Sequence, residues 1–538
     1  MLGASAVAVI TNIDPLDDSN KQMPGNFLVK TLALGLYCSA IVLAQSPSSS
    51  PGPERSHVER FTTVETRAER TEAEASKKLV SNPNDADALN LRGLARLFLG
   101  HYQEAQEDLT RAVAIKPDNS SYQTNLASAL WKLGRAAEAI EVSYVAVKLD
   151  TNNFNAHYQL GRFLLSVGGR ERLDETIQHL RRALEIDARH YEVRFDLITA
   201  YRALGDTAHA ASQLDFLWDA RPSDARVFYA NALLASDRGD LHAAIKDFGE
   251  AVRRDPKLFS AWQDLGVAYV KLKRWPEAVQ TFGEFSRLRP DSVEAAYLLA
   301  VSLFNGGRVE DAEKEVRRAL GIDAGAAEAH TLLGVILASR GNANAEASES
   351  LIQAVALNPK SFDAQFYLGR VQYALKDYAA AVKSLKVAVD LGPGQAEARF
   401  FLGTALEAAG DSTAALKVYQ QLADKDSQSA MGQLGLGALL LKQGKSEEAI
   451  TALRRATNLE PNNFEGYWAL GRAFMLVQHF NEAVESLTKA VSLVPNRSEA
   501  HYQLGLALTR LGRTEEAKRE FAVVDRLNVD FRTNKLQK

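Results

Sequence analysis

The pentapeptide HYQLG stands at residues 157–161 and again at 501–505, 344 residues apart. Between the two copies lie DLITAYRALGD (196–206), WQDLGVAYVKL (262–272), YLLAVSLFNGG (297–307), TLLGVILASRG (331–341), FYLGRVQYALKD (366–377), FFLGTALEAAGD (400–411) and YWALGRAFMLV (467–477). Successive copies fall 34 residues apart almost everywhere. Three extra residues in 168–176 and one in 341–347 bring ten such steps to 344. A period of this length constrains the fold more than composition does. A unit so short cannot bury a hydrophobic face alone, so its neighbours must stack on it to make a continuous core.

The interior of each unit shows what stacks. Counting from Ala86, the eighth position is Gly or Ala in every unit except one, which has Ile198. The twentieth position is Ala from Ala105 to Ala517, with Thr176 the exception in the unit that carries the longer insertion. Two columns of small residues predict the close contact of a helical hairpin. Gly134, Gly205, Gly239, Gly410, Gly444 and Gly512 mark its turn, where a left-handed residue ends the first helix at little cost. Proline at 117, 222, 256, 290, 359, 393, 461 and 495 stops the second helix.

This pattern resembles the tetratricopeptide repeat family, whose 34-residue helix–turn–helix unit carries Trp, Leu-Gly, Tyr, Ala, Phe and Pro in order. In 259–292 those residues are Trp262, Leu265, Gly266, Tyr269, Ala278, Phe282 and Pro290. Thirteen units follow one another over 86–531. The resemblance implies an all-α, right-handed superhelical solenoid, read here as one continuous array, with a polar N-terminal capping helix in 54–85 and a short tail at 532–538.

Residues 1–53 fall outside the repeat. Lys30 precedes the apolar run 31–45, which ends Val42-Leu43-Ala44 before a Ser/Pro-rich linker at 46–53. That order predicts a secretory signal peptide over 1–45, cleaved after Ala44. Asp14, Asp17 and Asp18 are out of character for a signal leader, so translation is expected to start at Met23. Export to a periplasmic or extracellular space follows, as in exported bacterial members of the resembled family. An uncleaved apolar segment would instead anchor the chain to a membrane.

The net charge of −4 offers no field that would gather nucleic acid. Cys38 is the only cysteine, so neither disulfides nor thiolate metal sites are expected in the repeats. KQGKS (442–446) is similar to part of a phosphate-binding loop, but Leu439 stands where its first glycine belongs and no strand precedes it. His157, His330 and His501 occupy the fourth position of their units, spread along the array, and read as packing residues. No catalytic group, metal or cofactor is expected.

The resemblance implies a concave face lined by the first helices, with ligand contacts drawn mainly from positions 2, 5, 6, 9, 12 and 13. Position 5 is aromatic at Tyr158, Phe195, Tyr229, Tyr297, Phe366, Phe400, Trp468 and Tyr502, and position 9 is Arg162, Arg370 and Arg472. Position 2 is acidic in eight units, where the helix macrodipole favours it. The rings either wedge between neighbouring first helices or form a stacking platform for a partner. Taken as a platform, these eleven residues predict a non-catalytic scaffold that binds a protein or peptide segment. A polysaccharide ligand in envelope export, or service as the recognition arm of a separate enzyme chain, are the alternatives.

Overall fold

The computed structural model describes residues 57–341, 344–425 and 429–536. The signal peptide, the start at Met23 and the linker all lie outside these residues. Among the described residues the chain is helical throughout, with 27 α-helices and no strand. None of these helices is long and apolar enough to cross a membrane.

After the capping helix (His57–Ser81), each repeat supplies a first helix of 13 or 14 residues and, in all but the last repeat, a second helix of 14. Aspartate, asparagine or serine opens many first helices: the side chains of Asp85, Asn119, Asn153, Ser292, Ser361 and Asn463 each accept a hydrogen bond from the backbone N–H three residues on. This satisfies donors that a helix N-terminus leaves orphaned. The six glycines expected to be left-handed have φ between 74° and 89°. Lys273, Lys376 and Gln478 take the same turn position without glycine's freedom, at φ 55–64°. The final helix departs from expectation: it runs from Thr514 to Leu536, so most of the expected tail is helix.

The described residues fall into two compact units, divided at the turn Gly306–Gly307 within the seventh repeat. The first holds the capping helix, repeats 1–6 and the first helix of repeat 7 (Val293–Asn305); the second holds the remainder. Within each unit, first helices of most successive repeats rest against one another and second helices do so more sparsely. Each stack therefore curves with its first helices inside.

The small-residue columns work differently from a simple backbone-to-backbone approach. A Cβ added at Gly93, Gly161, Gly266, Gly334, Gly369, Gly403, Gly437, Gly471 or Gly505 would come within 2.4–2.8 Å of a side chain on the paired helix. That side chain is Leu, Phe or Tyr at position 24, one turn beyond the alanine of position 20. The glycine thus makes room for a knob, and the alanine lets the helices close around it. At Gly266 the knob is Phe282, itself fully buried. Gly266→Ala is expected to overpack this hairpin and cost about 1–3 kcal/mol. Denaturant unfolding would measure it; an unchanged midpoint would mean that the ring has room to move.

Position 4 has a role that the sequence reading missed. Gln123, His157, Arg194, Trp262, His330, Gln365 and His501 each donate a side-chain hydrogen bond, 2.9–3.4 Å long, to the backbone carbonyl six residues earlier. Those carbonyls belong to the exposed inter-repeat loops, which these bonds tie to the first helix that follows. The histidines therefore pin loops. His157 also meets His179, their Nδ1 atoms 3.0 Å apart, and burial pulls both imidazoles below the usual range.

Candidate functional site: the inner face of repeats 10–13

The eight position-5 rings divide by burial. Phe195, Tyr229, Tyr297 and Phe366 are 7%, 1%, 2% and 2% exposed. Tyr229 donates from its hydroxyl to Asp264 on the next first helix at 2.7 Å. Phe366 stacks on Phe362 and meets Tyr367 and Phe401 edge-on, with centroids 5.2–5.8 Å away. These four are packing wedges, and the expected stacking platform does not include them: a ring with no free face has nothing to stack on a ligand. Arg370, 6% exposed, leaves the expected site with them. Its guanidinium lies 4.6–5.8 Å from the centroids of Phe366, Tyr367 and Phe401 and 3.7 Å from Glu397.

In the first unit Tyr158 and Arg162 are part-buried beside Asp196, with the guanidinium 5.5 Å over the Tyr158 ring and 3.6 Å from the carboxylate. Burial raises the Asp196 carboxyl to about 6 against the pull of Arg162 and Tyr158; Glu192 raises it further and Arg226 lowers it. The native state thus keeps a proton that the unfolded chain loses from about pH 4, and stability falls as pH rises from there through 6. Above that window the ionised carboxylate costs roughly 1–3 kcal/mol. Asp196→Asn is expected to melt above the parent at pH 7.5 and level with it near pH 3.5, as calorimetry at the two pH values would show. An equal offset at both would mean that the carboxylate is not the source.

Acidic residues at position 2 do more than complement a dipole. Glu192 pairs with Arg226 at 2.8 Å, Glu294 accepts from Gln263 at 2.7 Å, Glu465 faces Arg497 at 3.5 Å, and Asp87 meets Lys116 and Tyr122. The contacts of Glu192, Glu294 and Asp87–Tyr122 bridge to a neighbouring repeat, while Lys116 and Arg497 lie at the ends of the same repeats as Asp87 and Glu465. An acid at position 2 with a base or amide about one period away was the sequence signal available for this.

The remaining expected residues gather at the C-terminal end of the second unit, on first helices Ala396–Ala408, Phe464–Leu476 and Ser498–Arg510, with Ala430–Lys442 between them carrying none. Phe400 is part-buried between Phe401 and Tyr419, each centroid 5.9 Å away. Trp468 is part-buried and lies parallel to Phe464, and the exposed Arg472 sits 4.9 Å above its ring. Tyr502 is 47% exposed, resting one side on Phe521 at 5.9 Å. Met431 and Leu476 also stand exposed on these helices. The inner positions of repeats 8 and 9 are by contrast largely closed, with Leu332, Val335, Phe366 and Tyr367 all buried. Among the described residues, an accessible apolar and aromatic strip therefore opens on the first helices toward the C-terminal end of this unit.

A tetratricopeptide repeat model matches residues 90–154, 229–284, 264–327, 332–396, 388–430 and 469–523, together more than half of the chain, and further models of these repeats match 169–236 and 437–478. The chain belongs to the tetratricopeptide repeat family. Among its relatives, tetratricopeptide repeat protein 37 of Xenopus laevis is 25% identical over 228 residues, which is 41% of this chain and 14% of that protein. Protein O-mannosyl-transferase TMTC3 of Homo sapiens is 23% identical over 289 residues, 53% of this chain and 31% of that protein. The chain thus spans between a seventh and a third of the length of these relatives. A solved structure titled as the APC/C hetero-tetramer Cut9-Hcn1 aligns over 84% of this chain and 95% of its own, at 15% identity and a TM-score of 0.42.

Proposed function

We propose that this repeat protein is an exported, non-catalytic scaffold that holds a protein segment against the inner face of repeats 10–13. Repeats of this family generally mediate protein–protein interaction. The observation that carries the specific reading is the strip of Trp468, Leu476 and Tyr502, with Arg472 over the indole, left accessible where repeats 8 and 9 bury positions 5 and 9 at Thr331, Val335, Phe366 and Arg370. Accessible apolar surface rimmed by charge is characteristic of interaction sites, and Trp, Tyr and Arg dominate the energetics of protein interfaces. Export rests on the apolar run before Ala44; if that run is retained, the scaffold is held at a membrane.

A second reading has its own support. Trp468 and Tyr502, flanked by Arg472 and Glu499, could stack and hydrogen-bond a sugar chain, which would make the protein a glycan-handling component of envelope polysaccharide export. Partial similarity to a mannosyl-transferase also suits the recognition arm of a separate enzyme chain. Peptide arrays and soluble polysaccharides, presented to the same preparation, separate the first two: peptide binding lost in Trp468→Ala supports the protein scaffold, and saturable polysaccharide binding without peptide binding overturns it.

A further inference from the structure

The first unit contains a cleft of about 300 Å³ between repeats 3 and 4, lined by Arg181, Leu184, Arg194, Leu197, Tyr201, His209, Gln213 and Glu185. It opens among the second helices Leu173–Ile186 and Thr207–Ala220. Arg194, Leu197 and Tyr201 reach it from a different side of helix Tyr191–Leu204 than Phe195 and Arg202, about 100° further round.

Its charge is unbalanced. Elsewhere in this unit part-buried arginines meet carboxylates: Arg92 with Asp108 at 2.7 Å, Arg202 with Asp237 at 2.6 Å and Arg226 with Glu192 at 2.8 Å. No carboxylate among the described residues pairs with Arg181 or Arg194. The acids nearby are committed, Glu185 to Arg182 at 2.7 Å and Asp206 to His209 at 2.6 Å. Arg194 is nonetheless fixed, its face 3.6 Å from the Phe216 ring, one terminal nitrogen donating to Gln213 at 2.7 Å and the other to the Ala188 carbonyl at 3.0 Å. Its Nε–H is buried without an acceptor. Burial pulls this guanidinium below its ordinary range, as expected for a cation taken from water without a counterion.

We propose that this cleft is a carboxylate-binding site, separate from the inner face, in which Arg194 and Arg181 hold the anion and Leu184 and Tyr201 take the carbon chain behind it. A guanidinium already fixed on its face and at two nitrogens gives up little further freedom on meeting a carboxylate. The carboxylate could belong to an acidic side chain of a protein or to a small organic acid.

Calorimetric titration of the full chain distinguishes these sources, using sodium succinate in one arm and the blocked tripeptide Ac-Ala-Glu-Ala-NH2 in the other, with sodium chloride at matched ionic strength as reference. Saturable binding is expected in at least one arm, weakened about tenfold by Arg181→Gln, the scale of one charge-assisted hydrogen bond. Arg181 is exposed, so the variant should keep the parental melting temperature. Binding of the peptide alone assigns the site to a protein side chain, and binding of succinate alone assigns it to a small acid. No saturable binding in either arm, or equal binding by parent and Arg181→Gln, overturns the proposal.

Discussion

Replacing Phe366 by alanine is expected to destabilise the C-terminal unit by about 3–5 kcal/mol, the range for truncating a buried ring. The ring is 2% exposed and touches Phe362, Tyr367 and Phe401, so its removal leaves a hole lined by rigid aromatic groups that close over it poorly. It also strips one of three rings from around the buried Arg370 guanidinium, whose cation–π contacts help to hold a charge away from water. Because each repeat is coupled mainly to its neighbours, hydrogen exchange should quicken first in repeats 9 and 10 and least in repeat 13. A variant that melted like the parent but lost partner affinity would return Phe366 to the binding surface.

Much of this fold is written into the sequence because a repeat states each constraint many times. The glycines of position 8 and the alanines of position 20 identify the hairpin before any coordinate is known. What they pack against is less legible: the Phe282 knob that fills the space over Gly266 lies on another helix, and single-position columns do not reveal pairs across helices. The same limit applies to the candidate site. Phe366 and Tyr502 occupy the same position of their repeats, yet one is buried and the other 47% exposed. Local pattern cannot separate them, because burial here depends on how far the neighbouring repeats close over the ring. Position 9 behaves alike: Arg370 is sealed among rings while Arg472 stands exposed over Trp468.

Tyr502 offers the cleanest test of the inner face, because nearly half of its surface is open and, among the described aromatic groups, its ring rests on Phe521 alone. Trp468 lies deeper, so Trp468→Ala should lower both affinity and stability, whereas Tyr502→Ala should act almost wholly on affinity. Truncating an anchor ring at an interface typically costs about 2 kcal/mol or more in binding, close to a thirtyfold rise in Kd. The same change at a surface ring usually moves folding stability by no more than about 0.5 kcal/mol. The decisive measurement is the Kd of parent and Tyr502→Ala for a peptide recovered from the array, taken beside their denaturant midpoints. A thirtyfold loss of affinity at an unchanged midpoint is the predicted result; unchanged affinity would contradict the assignment of repeats 10–13 as the partner-binding face.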